Sequence, residues 1–209
     1  AYLEDYALFI EGLLELFQAT GELRWLSEAK RLADIMIAEY WDEEVGGFYF
    51  TGNGHEKLIV RSKDYMDNAT PSGNSVAAEV LIKLAKLTGD EKYPRYSTAV
   101  FRQLSMQLSK YPQAFGRALT ALSYSLAAVK EIVIMHDLGQ DNSSLVDVLR
   151  DNYVPNKIVV LAQPGVGEEL LPIIEGKELI GDAPTAFVCE NYTCQEPVTD
   201  AERLLTQLA

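Results

Sequence analysis

Asp64 and Asp67 lie in a polar stretch, Ser62-Lys-Asp-Tyr-Met-Asp-Asn-Ala-Thr-Pro-Ser-Gly-Asn-Ser75, that runs directly into a helix. The stretch gathers two carboxylates, amides, hydroxyls and a lysine, the residue types used for proton transfer and for holding polar ligands. Pro71, Ser72 and Gly73 mark where the loop ends. Ser72 suits the N-cap position, where its hydroxyl accepts a bond from an otherwise unpaired N–H of the first turn. A helix N-terminus carries free donors and a partial positive charge, so carboxylates are favoured beside it. Asp5 has the same setting in the first turn of the chain's first helix. These residues form either a set of helix caps or the rim of a polar site.

Other reactive side chains are few. The two histidines are far apart, His55 in a glycine-bounded turn and His136 at the end of a strand, and form no recognisable ligand set. No metal and no other cofactor is expected. Cys189 and Cys194 are separated by four residues, whereas a thioredoxin-type pair needs C-x-x-C at a helix start. They read as structural thiols; a disulfide is geometrically possible at this spacing. So small a cysteine content points to a reducing, cytoplasmic setting. The segment His136-Asp-Leu-Gly-Gln-Asp-Asn-Ser-Ser144 occupies the place of a nucleotide-binding turn but has one glycine instead of G-x-G-x-x-G. It reads as an ordinary connection in which Asp141 or Asn142 caps the next helix.

Composition narrows the partners. The chain has 209 residues, of which 48% are hydrophobic and 23% charged, as in an ordinary globular protein. Its net charge of −13 disfavours nucleic acid and anionic membranes as partners. No apolar run reaches the length of a membrane span, and no signal peptide opens the chain. The opening residues already read as helix without an initiator Met, which predicts a piece of something longer.

The elements that must position these groups follow from periodicity. Residues 2–20 and 23–40 read as an antiparallel helical hairpin turned at Gly21, with the first helix covered on more than one side because Leu8, Phe9 and Leu16 add apolar surface off its main stripe. The glycines and aromatics near 47–61 predict a small β-hairpin, Phe48 to Phe50 pairing with 57–61. Three more helices follow at about 73–88, 91–109 and 111–128. The helical pairs recur every 40–50 residues or so, a spacing that signals stacked or closed arrays of hairpins. After residue 129 the character changes. Strands at 131–136 and 157–161 flank a helix at 141–150, a strand–helix–strand unit whose strands should be parallel. A third strand at 185–189 and a closing helix at 200–208 complete an α/β unit over 130–209.

Several of these segments together resemble one family. Leu3-Glu-Asp-Tyr-Ala7, Leu14-Glu-Leu-Phe-Gln-Ala-Thr-Gly21, Gly46-Gly-Phe48, Asp67 with Pro71-Ser-Gly-Asn-Ser75, and Val188-Cys-Glu-Asn-Tyr-Thr-Cys-Gln-Glu-Pro197 look like the C-terminal part of the spermatogenesis-associated protein 20 family. The resemblance implies a thioredoxin-like domain fused to an (α/α)6 toroid similar to N-acylglucosamine 2-epimerases and six-hairpin glycosidases. On that footing the fold is mainly α with a C-terminal α/β unit: hairpins of a partial toroid over 1–129, then a small parallel-sheet subdomain. Five helices cannot close a six-hairpin ring. The resemblance therefore implies that the missing N-terminal part of the parent chain, or a homo-oligomer partner, covers the open side.

In such toroids the pocket is lined by the starts of inner helices and the loops before them. That makes Asp5, Asp64 and Asp67 the acid/base candidates for glycoside chemistry. Tyr6, Trp41, Asn68, Ser72 and Asn74 are the substrate-binding candidates, with Tyr2 and Tyr65 as further aromatic platforms. The competing assignment is that the carboxylates cap helices or pair with Arg61, Lys63 or Arg117. The absence of histidine from the polar stretch counts against epimerase chemistry by this fragment alone; for the parent protein the resemblance leaves both glycosidase-like hydrolysis and epimerase-like isomerisation. The expected ligand is a carbohydrate-like small molecule handled by the parent protein, the fragment alone being inactive. The alternative is a non-catalytic scaffold or binding module attached to a redox domain.

Overall fold

The computed structural model describes residues 1–56, 59–191 and 193–208. Five helices come first: α1 (Leu3–Thr20), α2 (Leu23–Tyr40), α3 (Gly73–Thr88), α4 (Tyr93–Lys110) and α5 (Gly116–Leu126). α1, α3 and α5 lie side by side, with α2 packed on α1 and α4 on α3. The starts of the three adjacent helices meet at one end. A Cβ at Gly73 would lie 2.8 Å from Leu3 Cγ, so the missing side chain lets the first turns of α1 and α3 touch. The loop before α3 reaches the first turn of α5 through Asp67.

Burial follows from this layering. α3 is enclosed from both sides, and twelve of its sixteen residues are buried. α1 buries Leu3, Ala7, Ile10, Leu13, Leu14 and Phe17. α1 is covered on more than one side, by α2, α3 and β2, but the cover does not extend to its off-stripe residues: Phe9 is 60% exposed and Leu16 is exposed too. Among the described residues nothing packs over that face. It borders a groove of about 630 Å³ lined by Tyr6, Leu8, Phe9 and Leu32. No helix among the described residues is long and apolar enough to cross a membrane.

The expected hairpin near 47–61 also differs. Phe48 bridges to Trp41 and Thr51 to Tyr2, as isolated antiparallel contacts. Lys57 and Leu58 lie outside the described residues, and 59–61 are not in a strand. The aromatic segment bonds to the end of α2 and the start of α1, where its rings also pack, and the Phe50 N–H donates to the Ser62 carbonyl at 2.8 Å. Tyr2 stacks on Phe50 and Trp41 packs edge-on to Phe48.

The α/β unit contains β1 (Lys130–Met135), α6 (Ser143–Asp151), β2 (Lys157–Ala162), β3 (Thr185–Glu190), β4 (Thr193–Cys194) and α7 (Ala201–Leu208). The sheet order is β2-β1-β3-β4. β1 and β2 are parallel, Val133 opposite Val160, with α6 between them in the chain. The sheet as a whole is mixed, because β3 and β4 add antiparallel. Alternating residues serve two faces. Ile132, Ile134, Ala186 and Val188 pack with α6 and α7, while Val133, Met135, Ile158 and Val160 join the core of the helices. One core thus crosses residue 130.

The free edge of β2 is covered by the α1–α2 turn. Gln18 Oε1 accepts the Val159 N–H at 3.0 Å. Gly21 closes α1 at φ 69°, and a Cβ there would lie 2.5 Å from the Leu161 carbonyl oxygen. Gly21→Ala therefore combines left-handed strain with a backbone clash. It is expected to cost about 2 kcal/mol or more, read by chemical denaturation.

Candidate functional site

The common end of α1, α3 and α5 is where the sequence-selected residues collect. Asp5 Oδ2 accepts the Tyr2 N–H at 2.7 Å, and Asp5 lies on the rim of the groove beside α1. Asp64 Oδ1 accepts the Met66 N–H at 3.2 Å. Asp67 does most. Its Oδ1 accepts the Ser72 N–H at 2.9 Å, and its Oδ2 accepts the N–H groups of Arg117 at 2.8 Å and Ala118 at 3.3 Å. A carboxylate from the loop before one helix thereby satisfies the free donors at the start of another. Each of the three carboxylates is engaged by backbone donors.

Ser72 is the N-cap of α3 as expected, accepting the Ser75 N–H at 3.1 Å. Asn74 is fully buried and joins two loops. Its Oδ1 accepts the Phe48 N–H at 2.8 Å, while its Nδ2 donates to the carbonyls of Phe48 at 2.9 Å and Asp64 at 2.8 Å. Asn68 is exposed, its N–H bonded to the Thr70 carbonyl. Trp41 sets its ring edge-on to Phe48 and Tyr96, with centroids 4.9 and 4.8 Å away. Tyr6 packs on Tyr40 and lines the same groove as Asp5.

Two clusters escaped sequence reasoning. The first is at Asp42, which is buried. Its Oδ2 accepts from Lys63 Nζ at 2.6 Å and the Tyr49 hydroxyl at 2.8 Å, and its Oδ1 from the Glu44 N–H at 2.9 Å. The Lys63 bond, against the cost of burial, holds this carboxyl well below the usual carboxylate range. Asp42 depressed in the fold contributes stability that is present above the unfolded pKa of about 3.9 and is lost as pH falls below it. Asp42→Asn is expected to lower stability at pH 7 and to flatten its decline on acidification below about pH 4, measured by denaturant unfolding across pH.

The second cluster spans the three adjacent helices. Arg117 in the first turn of α5 pairs with Glu11 of α1 and, through Nε at 2.7 Å, with Glu79 Oε2 of α3. Glu79 is only 6% exposed. Lys83, one turn on, pairs with Glu79 at 3.1 Å and Glu15 at 3.0 Å. Burial pulls the Lys83 ammonium down, but Glu79 and Glu15 outweigh it and its pKa is raised. Burial likewise opposes the Arg117 charge and is overcome by Glu11 and Glu79. The available sequence signal was Glu79 itself, one carboxylate inside the apolar run 76–82 with a lysine four residues on.

Cys189 and Cys194 are joined as a disulfide, which corrects their reading as structural thiols. They face each other directly in the β3–β4 register. Among the described residues no group of three or more His, Cys, Asp or Glu is arranged to hold a metal ion.

No protein-family model matches the chain. Among curated proteins it is similar to human spermatogenesis-associated protein 20, 35% identical over an alignment of 207 residues that covers 95% of this chain and 26% of that protein. The rat protein of the same name is also 35% identical, over 205 residues. An uncharacterized protein of Caenorhabditis elegans is 24% identical over 207 residues, 98% of this chain and 28% of that protein. The similarity is consistent along nearly the whole chain and marks kinship with these proteins. The chain spans about a quarter of the length of the curated relatives it matches.

Proposed function

We propose that this chain works as one segment of a longer polypeptide, where the adjacent faces of α1, α3 and α5 form one wall of a site for a carbohydrate-like small molecule. The observation that carries this is the Glu11–Arg117–Glu79–Lys83–Glu15 network across three adjacent helices. Buried ion pairs are poor sources of net stability, so a largely buried network of this size, open to solvent at Glu15, suits recognition better than scaffolding. A guanidinium between two carboxylates offers the planar donors and acceptors that ring hydroxyls match. Asp5, Asp64 and Asp67, already bonded to backbone, hold the loops around this wall. The rest of the longer polypeptide supplies the opposite wall and covers the apolar face that includes Phe9. The share of its relatives that the chain spans supports this reading.

A thermal-shift panel of aldoses and glycosides on the longer polypeptide tests it. A ligand present at a hundred times its Kd is expected to stabilise by about 2.7 kcal/mol. The chain alone is expected to give no turnover of any glycoside that the longer polypeptide binds. A second reading has its own support. Because all three sequence-selected carboxylates are engaged by backbone N–H groups, Asp5 and Asp67 at helix starts and Asp64 within its loop, a non-catalytic scaffold is the second reading. Stabilisation by a protein partner with no response to any sugar would favour that reading.

A further inference from the structure

The Cys189–Cys194 bond closes the open end of the β3–β4 pair, with Glu190 and Thr193 opposite each other beside it. Its two ends differ in access: Cys189 is buried against the sheet, whereas Cys194 is exposed along with the rest of β4. A cross-link between residues five positions apart removes little freedom from the unfolded chain, so it adds less stability than one closing a long loop. The surrounding backbone is also tied without it. Gln195 N–H donates to the Val188 carbonyl at 2.9 Å, and Ala186 and Val198 exchange two bonds of 2.7 and 3.0 Å. The sulfur bond is therefore reachable from solvent and dispensable to the pairing around it. Disulfides of that kind undergo thiol exchange.

We infer that Cys189–Cys194 is a reversible thiol–disulfide site, attacked at the Cys194 sulfur by a dithiol reductant. A thiolate of the reductant attacks Cys194 Sγ, the S–S bond breaks, and Cys189 leaves as a thiolate that takes up a proton. The second thiol of the reductant then attacks the mixed disulfide and releases Cys194. The reductant ends as a disulfide, and the chain has gained two electrons and two protons. Glu190 and Glu196 flank the pair in sequence, and the chain is strongly acidic overall. A neutral dithiol is accordingly favoured over an anionic monothiol such as glutathione.

The test is made on the folded chain at neutral pH. Dithiothreitol is added, aliquots are quenched with an alkylating agent, and mass and circular dichroism are followed together. Full reduction is expected with the folded spectrum intact, at a rate within about tenfold of that of the same chain in guanidinium, since access limits exchange. With 2-mercaptoethanol, the trapped mixed disulfide is expected on Cys194. Reduction only after unfolding, or a mixed disulfide on Cys189, would overturn the assignment. So would a pair that stays reduced in the air-equilibrated chain. The Cys189→Ala, Cys194→Ala double variant is expected to keep the folded spectrum; its failure to fold would make the bond structural and defeat the inference.

Discussion

Asn74→Ala is expected to lower the stability of the chain by about 4 kcal/mol, read as a shift in the urea midpoint at unchanged slope. The side chain is fully buried and makes three bonds to main-chain groups of two separate loops. Truncation removes those bonds and strands the Phe48 N–H and two carbonyl oxygens, each at a cost of about 1 to 3 kcal/mol if no water replaces the amide. Asn74→Asp is a sharper probe. It keeps the shape but turns an acceptor toward the carbonyls of Phe48 and Asp64, so it should destabilise at least as much as alanine at pH 7. A loss below about 1 kcal/mol for both variants would mean that the loops are held by other contacts.

Arg117→Met carries the second large effect, about 3 kcal/mol of destabilisation. The loss comes less from the pair than from what remains, a Glu79 carboxylate that is buried and keeps only Lys83. The double variant Arg117→Met, Glu79→Gln should recover part of that loss because it removes the stranded charge as well as its partner. The two single variants and the double variant form a cycle whose coupling term isolates the pair. Additive losses would show that Arg117 and Glu79 do not depend on one another. Glu11, on the more exposed side of Arg117, should cost much less when changed to Gln.

What was legible in the sequence was mostly local. The Ser72 cap, the left-handed Gly21 and the parallel β1–β2 pair each depend on residues within one element or one connection. The links that build the site are long-range. Asp67 reaches α5 across 50 positions, and Arg117 meets Glu11 across 106. Periodicity marks which side of a helix is apolar but not which charged side chain on another helix will face it. For the same reason the apolar Phe9 and Leu16 predict cover on a further side of α1, although Phe9 has none among the described residues. The aromatic segment at 48–51 predicts a local hairpin, yet its bridges are to Trp41 and Tyr2, with a single bond from the Phe50 N–H to Ser62 on the expected side. The spacing of a helix-start redox motif, C-x-x-C, says nothing about pairing across a hairpin. A short antiparallel turn instead places residues five apart directly opposite each other.

The most direct test of the proposed wall is calorimetric titration of the longer polypeptide with the strongest ligand from the sugar panel, before and after Glu11→Gln. The variant keeps side-chain size and changes one of the two carboxylates that flank Arg117. If the three-helix network contacts the ligand, the variant should keep its melting temperature within a few degrees while affinity falls at least about tenfold, or 1.4 kcal/mol. Unchanged affinity in a folded variant would contradict the account and place the ligand away from this face.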